Sequence, residues 1–289
     1  MKWSSHYINS IKYKEDYKME KSAFRQYATL FRVRFLAGLQ YRAAALAGIA
    51  TQFAWGGLMV LLYRAFYEAD PAAFPMPLQA TCSYIWMQQA FLAVFMTWGM
   101  DASPIALIRS GDVSYELCRP VDLYWTWFTK ECAYRLSKAA LRCMPILLIA
   151  AFLPAPYGLR IPGLPQLGLF LLSGFLALLN IAALGLLIDV STFFTLDATG
   201  VRSLLTAAAD FLSGGLVPLA FLPAGFQKVL VLLPFAGMEN TPLQLFNGEI
   251  TGADAAGALL LQLFWAVLMI AGGRIWMEKA LGRVIAQGG

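Results

Sequence analysis

Residues 101–142 read DASPIALIRSGDVSYELCRPVDLYWTWFTKECAYRLSKAALR. This stretch carries six basic and five acidic side chains and lies between two strongly apolar runs. The rest of the chain is mostly apolar, so that 59% of the 289 residues are hydrophobic and only 13% are charged. Soluble domains average about 25% charged residues. Because the apolar excess extends over the whole length, the composition predicts one polytopic membrane domain.

Six apolar runs approach the length of about 20 residues that a membrane-spanning helix needs. The predicted spans are 43–62, 79–100, 139–153, 164–188, 204–222 and 255–273. The third run is short and crosses the bilayer only if the preceding residues add length, so a buried half-span is the alternative. The sequence therefore predicts an all-α integral membrane protein with six transmembrane helices.

The region before the first span divides into two parts. Residues 1–19 form a polar tail, whose first 18 residues lack the apolar centre of a signal peptide. Residues 20–41 place aromatic and basic side chains at helical spacing, which is typical of an amphipathic helix in the membrane interface. The six-span domain then occupies residues 42–289.

The distribution of lysine and arginine predicts the orientation. With six spans and a cytoplasmic N-terminus, 19 of the 22 basic residues lie on the cytoplasmic side, and only Arg64, Arg160 and Lys228 lie outside. Positive residues are retained on the cytoplasmic side of membrane proteins. This asymmetry predicts that both termini and the loop 101–138 are cytoplasmic, as in a multi-pass protein of a bacterial inner membrane.

The segment between the fifth and sixth spans, residues 214–252, is apolar but interrupted by prolines. These are Pro218, Pro223, Pro234 and Pro242. Proline breaks helices, and broken backbone at membrane depth requires cover from protein or a cavity. We predict an external re-entrant segment with two short helices, near residues 224–233 and 241–246.

Several functional classes are disfavoured by composition. His6 is the only histidine and the four cysteines form no CxxC pair, so we predict no metal site and assign no catalytic residue. The net charge of +5 is explained by the retained cytoplasmic cations, and no nucleic-acid binding is predicted.

Three of the polar side chains within the predicted spans are candidates for a functional role, namely Gln52, Asn180 and Asp210. They could line a pathway or form hydrogen bonds between helices, with simple packing as the alternative. We expect Asp210, the most deeply placed carboxylate, to pair with Arg202 or with a neighbouring subunit.

Two stretches carry a family resemblance. SGDVSYELCRPVDLYW (residues 110–125) and LSGGLVPLAFLPAGFQKVLVLLPFAGMENTPLQLFNGEITG (residues 212–252) resemble the ABC type-2 permease family, in particular a bacterial six-span subgroup. That subgroup shows a Gly-(Asp/Asn)-x-x-x-x-Leu-x-Arg-Pro run in the first cytoplasmic loop. The matching residues here are Gly111, Asp112, Leu117, Arg119 and Pro120.

The resemblance implies the membrane-spanning permease of an ATP-driven exporter. Two permease subunits, identical or homologous, would form the substrate pathway among membrane lipids, above separate ABC ATPase subunits. The chain contains no GxxxxGK[ST] motif. We therefore expect no cofactor in this chain, with ATP and magnesium bound by the partner ATPase.

Residues 103–119 are the predicted ATPase-coupling element. Ser103 would cap a helix that has Pro104 in its first turn and that Gly111 ends. The predicted coupling residues are Arg109, Gly111, Asp112, Glu116, Arg119 and Pro120. The alternative is a solvated loop whose charges only enforce topology.

Further along the loop, four charged residues share one helical face, Glu131, Arg135, Lys138 and Arg142. The basic members of this face are predicted to reach the inner membrane interface, with contact to acidic residues of the ATPase as the alternative.

Two other functions are weighed against the exporter. A gradient-driven secondary transporter would show internal repeats and helices broken near the midplane, and no repeat is evident here. A membrane-embedded enzyme would need clustered catalytic groups at one leaflet, whereas the candidates in this sequence are isolated from one another.

Overall fold

The computed structural model describes residues 24–70, 74–195 and 198–283, and within these ranges the structure is helical without any strand. The predicted tail, residues 1–19, lies outside the described residues. Residues 24–39 form α1. The remaining α-helices are α2 (Arg42–Ala69), α3 (Leu78–Ala90), α4 (Leu92–Phe95), α5 (Ser103–Ser110), α6 (Val113–Leu117), α7 (Leu123–Phe152), α8 (Leu164–Thr195), α9 (Thr199–Leu212), α10 (Ala224–Leu230), α11 (Asn240–Asn247) and α12 (Gly252–Leu281).

The long helix α8 occupies the centre of the fold. It packs against α12, α11, α7 and α4, while α2, α3 and α7 pack against one another beside it. Between Leu176 and Thr192 nearly every side chain of α8 is buried, including Ile181 and Ile188. A helix that is apolar on all faces is stable when neighbours cover each face, and here α8 joins the two halves of the bundle.

Three of the described helices are long and apolar enough to cross a membrane. They are α2, α8 and α12, which correspond to the first, fourth and sixth predicted spans. The other three predicted spans take different forms. The third lies within α7, which is 30 residues long and carries five charged side chains.

The second and fifth predicted spans are shorter as helices than the sequence suggested. The run 79–100 is not one helix, because α3 ends at Ala90, α4 ends at Phe95, and residues 96–102 are not helical. The run 204–222 was also placed wrongly, since α9 begins at Thr199 and ends at Leu212 after 14 residues. Fourteen helical residues rise only about 21 Å.

The proline-rich segment contains the two predicted short helices, α10 and α11. Pro223 directly precedes α10, and Pro218 directly precedes a 3₁₀ turn at Leu219–Phe221. Pro242 lies in the first turn of α11, where a missing N–H costs no internal hydrogen bond. A second 3₁₀ turn, Ala236–Met238, follows Pro234 and packs against α8.

Candidate functional site

The helix α5 begins the site that the sequence predicts to be cytoplasmic, and its first turn contains Pro104, as predicted. The predicted cap is wrong, because Ser103 is already helical. Oδ1 of Asp101 instead accepts the backbone N–H of Ser103 at 3.0 Å. A carboxylate at the N-terminus of a helix accepts a hydrogen bond from a free N–H and interacts favourably with the helix dipole.

Gly111 ends α5 and redirects the chain into α6. Its φ of 81° lies in the left-handed region, which glycine adopts at helix ends without steric cost. Asp112 follows, and its Oδ2 accepts a hydrogen bond from Oγ of Ser110 at 2.7 Å. The two short helices are therefore joined by a turn of only two residues, as the Gly-Asp pair predicts.

The α5–α6 element presents one exposed face. Arg109, Asp112, Arg119 and Pro120 are all exposed. Tyr115, which the sequence analysis did not select, is 72% exposed. Five of the six predicted coupling residues, counting Gly111, are thus exposed, as is the ring of Tyr115. Exposed arginine and tyrosine side chains suit a protein partner.

Glu116 departs from this pattern, because it faces α7 rather than solvent. Its Oε2 accepts a hydrogen bond from Nε1 of Trp127 at 2.7 Å, and its Oε1 accepts one from Nζ of Lys130 at 2.7 Å. Burial acts to raise the pKa of Glu116, but these two hydrogen bonds and the positive charge of Lys130 outweigh it and lower the pKa below its usual value. Glu116 therefore fastens α6 to α7.

A second set of contacts lies deeper, around the fully buried Arg135 of α7. Its Nε donates to Oε1 of Glu131 at 2.6 Å, and its Nη1 donates to the carbonyl oxygens of Val94 at 3.1 Å and Met96 at 2.7 Å. These carbonyls belong to the end of α4, where no helical partner remains for them. The prediction that Arg135 extends to the membrane interface is wrong, because this cation holds the end of α4.

The nonhelical segment 96–102, which joins α4 to α5, is held from several sides. The other oxygen of Glu131, Oε2, accepts the backbone N–H of Asp101 at 3.0 Å. The Asp101 carboxylate forms an ion pair with Arg34 of α1. Nη2 of Arg202 donates to the carbonyl oxygen of Met100 at 2.8 Å. Side chains of α1, α7 and α9 therefore all bind the segment that connects α4 to α5.

The coupling element and the proline-rich segment both lie within a region that matches a known family. The family model described as ABC-2 family transporter protein matches residues 77–288. The chain belongs to the ABC-2 transporter family. No match was found among curated proteins. The resemblance inferred from the loop motif is thereby confirmed, and this ABC-2 protein is a membrane component of a transporter.

Two of the three polar candidates in the predicted spans of this ABC-2 protein, Asn180 and Gln52, are buried. Asn180 of α8 is buried and donates from Nδ2 to the carbonyl oxygen of Gln262 on α12 at 3.0 Å. Gln52 of α2 is 4% exposed, and neither atom of its side-chain amide has a hydrogen-bond partner within the described chain. Asn180 thus joins two membrane helices, while Gln52 is buried without a partner.

Asp210 does not pair with Arg202, which was one of the two partners expected from sequence; pairing with a neighbouring subunit stays a prediction. Its Oδ1 accepts a hydrogen bond from Oγ1 of Thr97 at 3.3 Å, while Arg202 binds the backbone as described above. The carboxylate lies near Gly215, where an added Cβ would stand 3.5 Å from Oδ1. Asp210 is therefore directed toward the beginning of the proline-rich segment.

A buried glutamate that the sequence analysis missed lies beside Asp210. Glu239 is 2% exposed, its Oε1 accepts from Nε2 of Gln88 at 2.8 Å, and its Oε2 accepts from Oγ of Ser213 at 3.4 Å. An added Cβ at Gly215 would stand 2.9 Å from Oε2 of Glu239. No local pattern marks Glu239, because its partner Gln88 is 151 residues away.

Within the described ranges, no group of three His, Cys, Asp or Glu residues is placed to hold a metal ion.

Proposed function

We propose that this chain is the membrane-spanning permease subunit of an ATP-driven exporter, located in a bacterial inner membrane with both termini in the cytoplasm. Family membership supports a transporter role. The sequence contains no P-loop motif, which favours an ATPase on separate subunits with ATP and magnesium bound there. The 19 basic residues on the predicted cytoplasmic side support the orientation.

The single observation that carries the coupling proposal is the two-sided geometry of α5–α6. One side is exposed and bears Arg109, Asp112, Tyr115 and Arg119. The other side is fixed to α7 through Glu116. An ATPase groove that receives the exposed side would move α6 and α7 together, since a partly buried, charge-assisted hydrogen bond resists separation.

Movement of the same element would also reach the membrane core through residues 96–102. Asp101 adjoins α5 and is bound to Arg34 and to the Glu131–Arg135 pair. Arg135 in turn holds the end of α4. We propose that this chain of contacts transmits ATPase motion from the cytoplasm to the broken second span.

The six-span layout and the re-entrant segment are part of the proposal. Gln262 lies ten residues into α12, about 15 Å along the helix, and its Nε2 donates to the carbonyl oxygen of Gly237 at 2.6 Å. The proline-rich segment therefore reaches this depth beside α12. The exposed apolar faces of α2 and α12 favour contact with lipid or with a second permease subunit, identical or homologous.

A gradient-driven transporter is the second candidate, favoured by one observation. The carboxylates of Asp210 and Glu239 both lie beside Gly215, within the apolar part of the protein. Buried carboxylates of this kind serve proton or cation relays in such transporters. Transport that persists without ATP hydrolysis but stops on loss of the proton gradient would favour this second candidate.

The test is purification of the tagged chain in mild detergent from its host, followed by identification of bound subunits and an ATP hydrolysis assay. We expect an ATPase subunit to copurify. The double variant Tyr115→Ala/Arg119→Gln, altered at two exposed positions, should lose the ATPase while still inserting in the membrane. Glu116 would lose its contact with Arg119 at 3.8 Å but keep its hydrogen bonds from Trp127 and Lys130. The matched control is Arg274→Glu on α12, which is 48% exposed at its side chain and distant in sequence from the loop.

Two results would contradict the proposal. The first is recovery of the wild-type chain without an ATPase under several gentle conditions. The second is normal assembly and hydrolysis in the Tyr115/Arg119 double variant, which would assign the exposed face to solvation and topology alone.

A further inference from the structure

A cavity of about 400 Å³ lies between α1, the beginning of α2 and the middle of α7. Its polar lining consists of Arg34, Lys138, Arg142, Tyr41, Tyr134 and Ser137. Three of these side chains are cationic and none is acidic. Since α1 is amphipathic and α2 is a membrane helix, the cavity occupies the junction between interface and hydrocarbon.

The cations of the cavity are incompletely neutralised. Arg34 forms an ion pair with Asp101. Within the described ranges, no carboxylate lies within 4.0 Å of the charged nitrogens of Lys138 or Arg142. Lys138 instead lies 3.7 Å from the centre of the Tyr134 ring. Among the described residues, these two positive charges of the cavity therefore have no negative partner.

Two nitrogen atoms of the lining are buried and lack an acceptor, namely Nε of Arg34 and Nε of Arg142. A buried donor without a partner destabilises the protein, and most such donors are satisfied by an ion, water or ligand. An anion with several oxygens would neutralise the excess charge and would approach the guanidinium groups that carry these nitrogens. Phosphate fits this donor set, because guanidinium groups bind its oxygens in a fork.

The helix α2 comes close to Arg142 because residue 48 is glycine. A Cβ at Gly48 would lie 2.5 Å from Cζ of Arg142. A larger residue would displace the guanidinium group. The guanidinium group of Arg142 therefore lies against α2, in space that the absence of a Cβ at residue 48 leaves open.

We propose that this cavity binds the phosphate of an anionic phospholipid of the inner leaflet. The surrounding surface favours a lipid over a soluble phosphate, because Tyr41 is 71% exposed and Leu46, in the first turns of α2, is 68% exposed. Acyl chains would lie along this apolar face of α2, and the tyrosine would lie at the headgroup level. The leaflet follows from the orientation proposed above, whereas the anion site itself depends only on the cavity.

The test measures lipid binding to the full purified chain in detergent by native mass spectrometry, with phosphatidylglycerol and phosphatidylcholine as probes. The wild type should retain phosphatidylglycerol preferentially. A basic residue near a membrane surface contributes about 1 kcal/mol to the binding of anionic lipid, which is about fivefold in affinity. Lys138→Gln and Arg142→Gln should each weaken phosphatidylglycerol binding about fivefold, and the double variant about 25-fold.

Matched variants separate the site from general charge. Arg274→Gln removes one exposed cation from α12, outside the cavity, and should leave binding unchanged. Arg142→Lys keeps the charge but loses the forked pair of donors, so it should weaken binding less than Arg142→Gln does. Ala44→Trp fills the cavity at an exposed lining position while every charge remains, and should weaken binding without loss of folding.

Three results would overturn the proposal. Equal retention of the two lipids would show that charge is not recognised. Wild-type affinity in the Lys138/Arg142 double variant would show that the lipid binds elsewhere. Displacement of phosphatidylglycerol by inorganic phosphate alone would assign the cavity to a soluble anion. None of these results depends on ATPase assembly, so the proposal is tested separately from the coupling function.

Discussion

Replacement of Arg135 by methionine is the sharpest test of the contacts between α7 and the end of α4. Arg135 is fully buried, and its guanidinium group binds Glu131 and the carbonyl oxygens of Val94 and Met96. Methionine reaches about as far as Nε of the arginine but has no donor. The variant Arg135→Met would leave Glu131 with only the backbone N–H of Asp101 as a partner.

The expected cost follows from the burial of this pair. Removing one member of a buried ion pair destabilises a protein by about 3–5 kcal/mol, because the remaining charge stays buried without compensation. An exposed pair contributes only about 0–1 kcal/mol. Arg274 and Glu278 form such a pair at the same i,i+4 spacing, with side chains 48% and 64% exposed. Arg274→Met is therefore a matched control, with an expected cost below about 1 kcal/mol.

The assay is equilibrium unfolding of the purified chain in mild detergent for the wild type, Arg135→Met, Glu131→Gln and the double variant. The double variant should recover part of the cost of Arg135→Met, because no buried charge is left unpaired. Non-additivity between the two single variants measures their interaction. A cost for Arg135→Met close to that of Arg274→Met would refute the reasoning, since it would show that water reaches Glu131.

Two further predictions concern the topology and the α5–α6 element. Cys118 is the exposed cysteine among the described residues, whereas Cys82 and Cys132 are buried, so a membrane-impermeant maleimide should label it only from the cytoplasmic side. A cysteine replacing the exposed Glu249 should label only from outside; the reverse pattern would overturn the topology. The second prediction concerns pH. Because the pKa of Glu116 in the folded protein lies below the usual 4.5, its contribution to stability is complete above pH 4.5 and is lost as the pH falls through the lowered value. Hydrogen exchange in α6 of the wild type, corrected for intrinsic rates, should therefore accelerate only below pH 4.5. In Glu116→Gln the exchange should already be faster at neutral pH. Unchanged exchange in that variant would contradict the role of Glu116.

The features that depend on local sequence were predicted well. Three of the predicted spans correspond to the long apolar helices α2, α8 and α12. Gly111 marks the end of α5, and Pro218 and Pro223 mark the starts of the short helices that follow them. The backbone preferences of glycine and proline act on their immediate neighbours. The short helices α10 and α11 were predicted for the same reason.

The errors arose where distant contacts decide the structure. The break after Ala90 has no glycine or proline to mark it, and the free carbonyls beyond it are satisfied by Arg135, about 40 residues later in the chain. Hydrophobicity alone also overestimated α9, because the apolar residues after Leu212 pack in turns and a 3₁₀ helix instead of extending it.

The candidate site was predicted in part for the same physical reason. The exposed residues of α5–α6 were identifiable from a charged motif between apolar runs. The inward orientation of Glu116 was not, because Trp127 and Lys130 approach it only after α6 folds back on α7. Whether the exposed face binds an ATPase stays a prediction.

The unequal burial of the membrane helices has a consequence for how the chain accepts substitutions. In the most apolar part of α8, 67% of residues are buried, against 22% in α12. The buried positions of α12 form a single stripe, which includes Gln262, Met269 and Met277. A saturation scan should therefore show that tolerance to substitution varies with the helical period along α12. Positions outside the buried stripe should accept any apolar residue. Along α8 the tolerance should be uniformly low, so sequence drift in this protein would be slowest in its most hydrophobic helix.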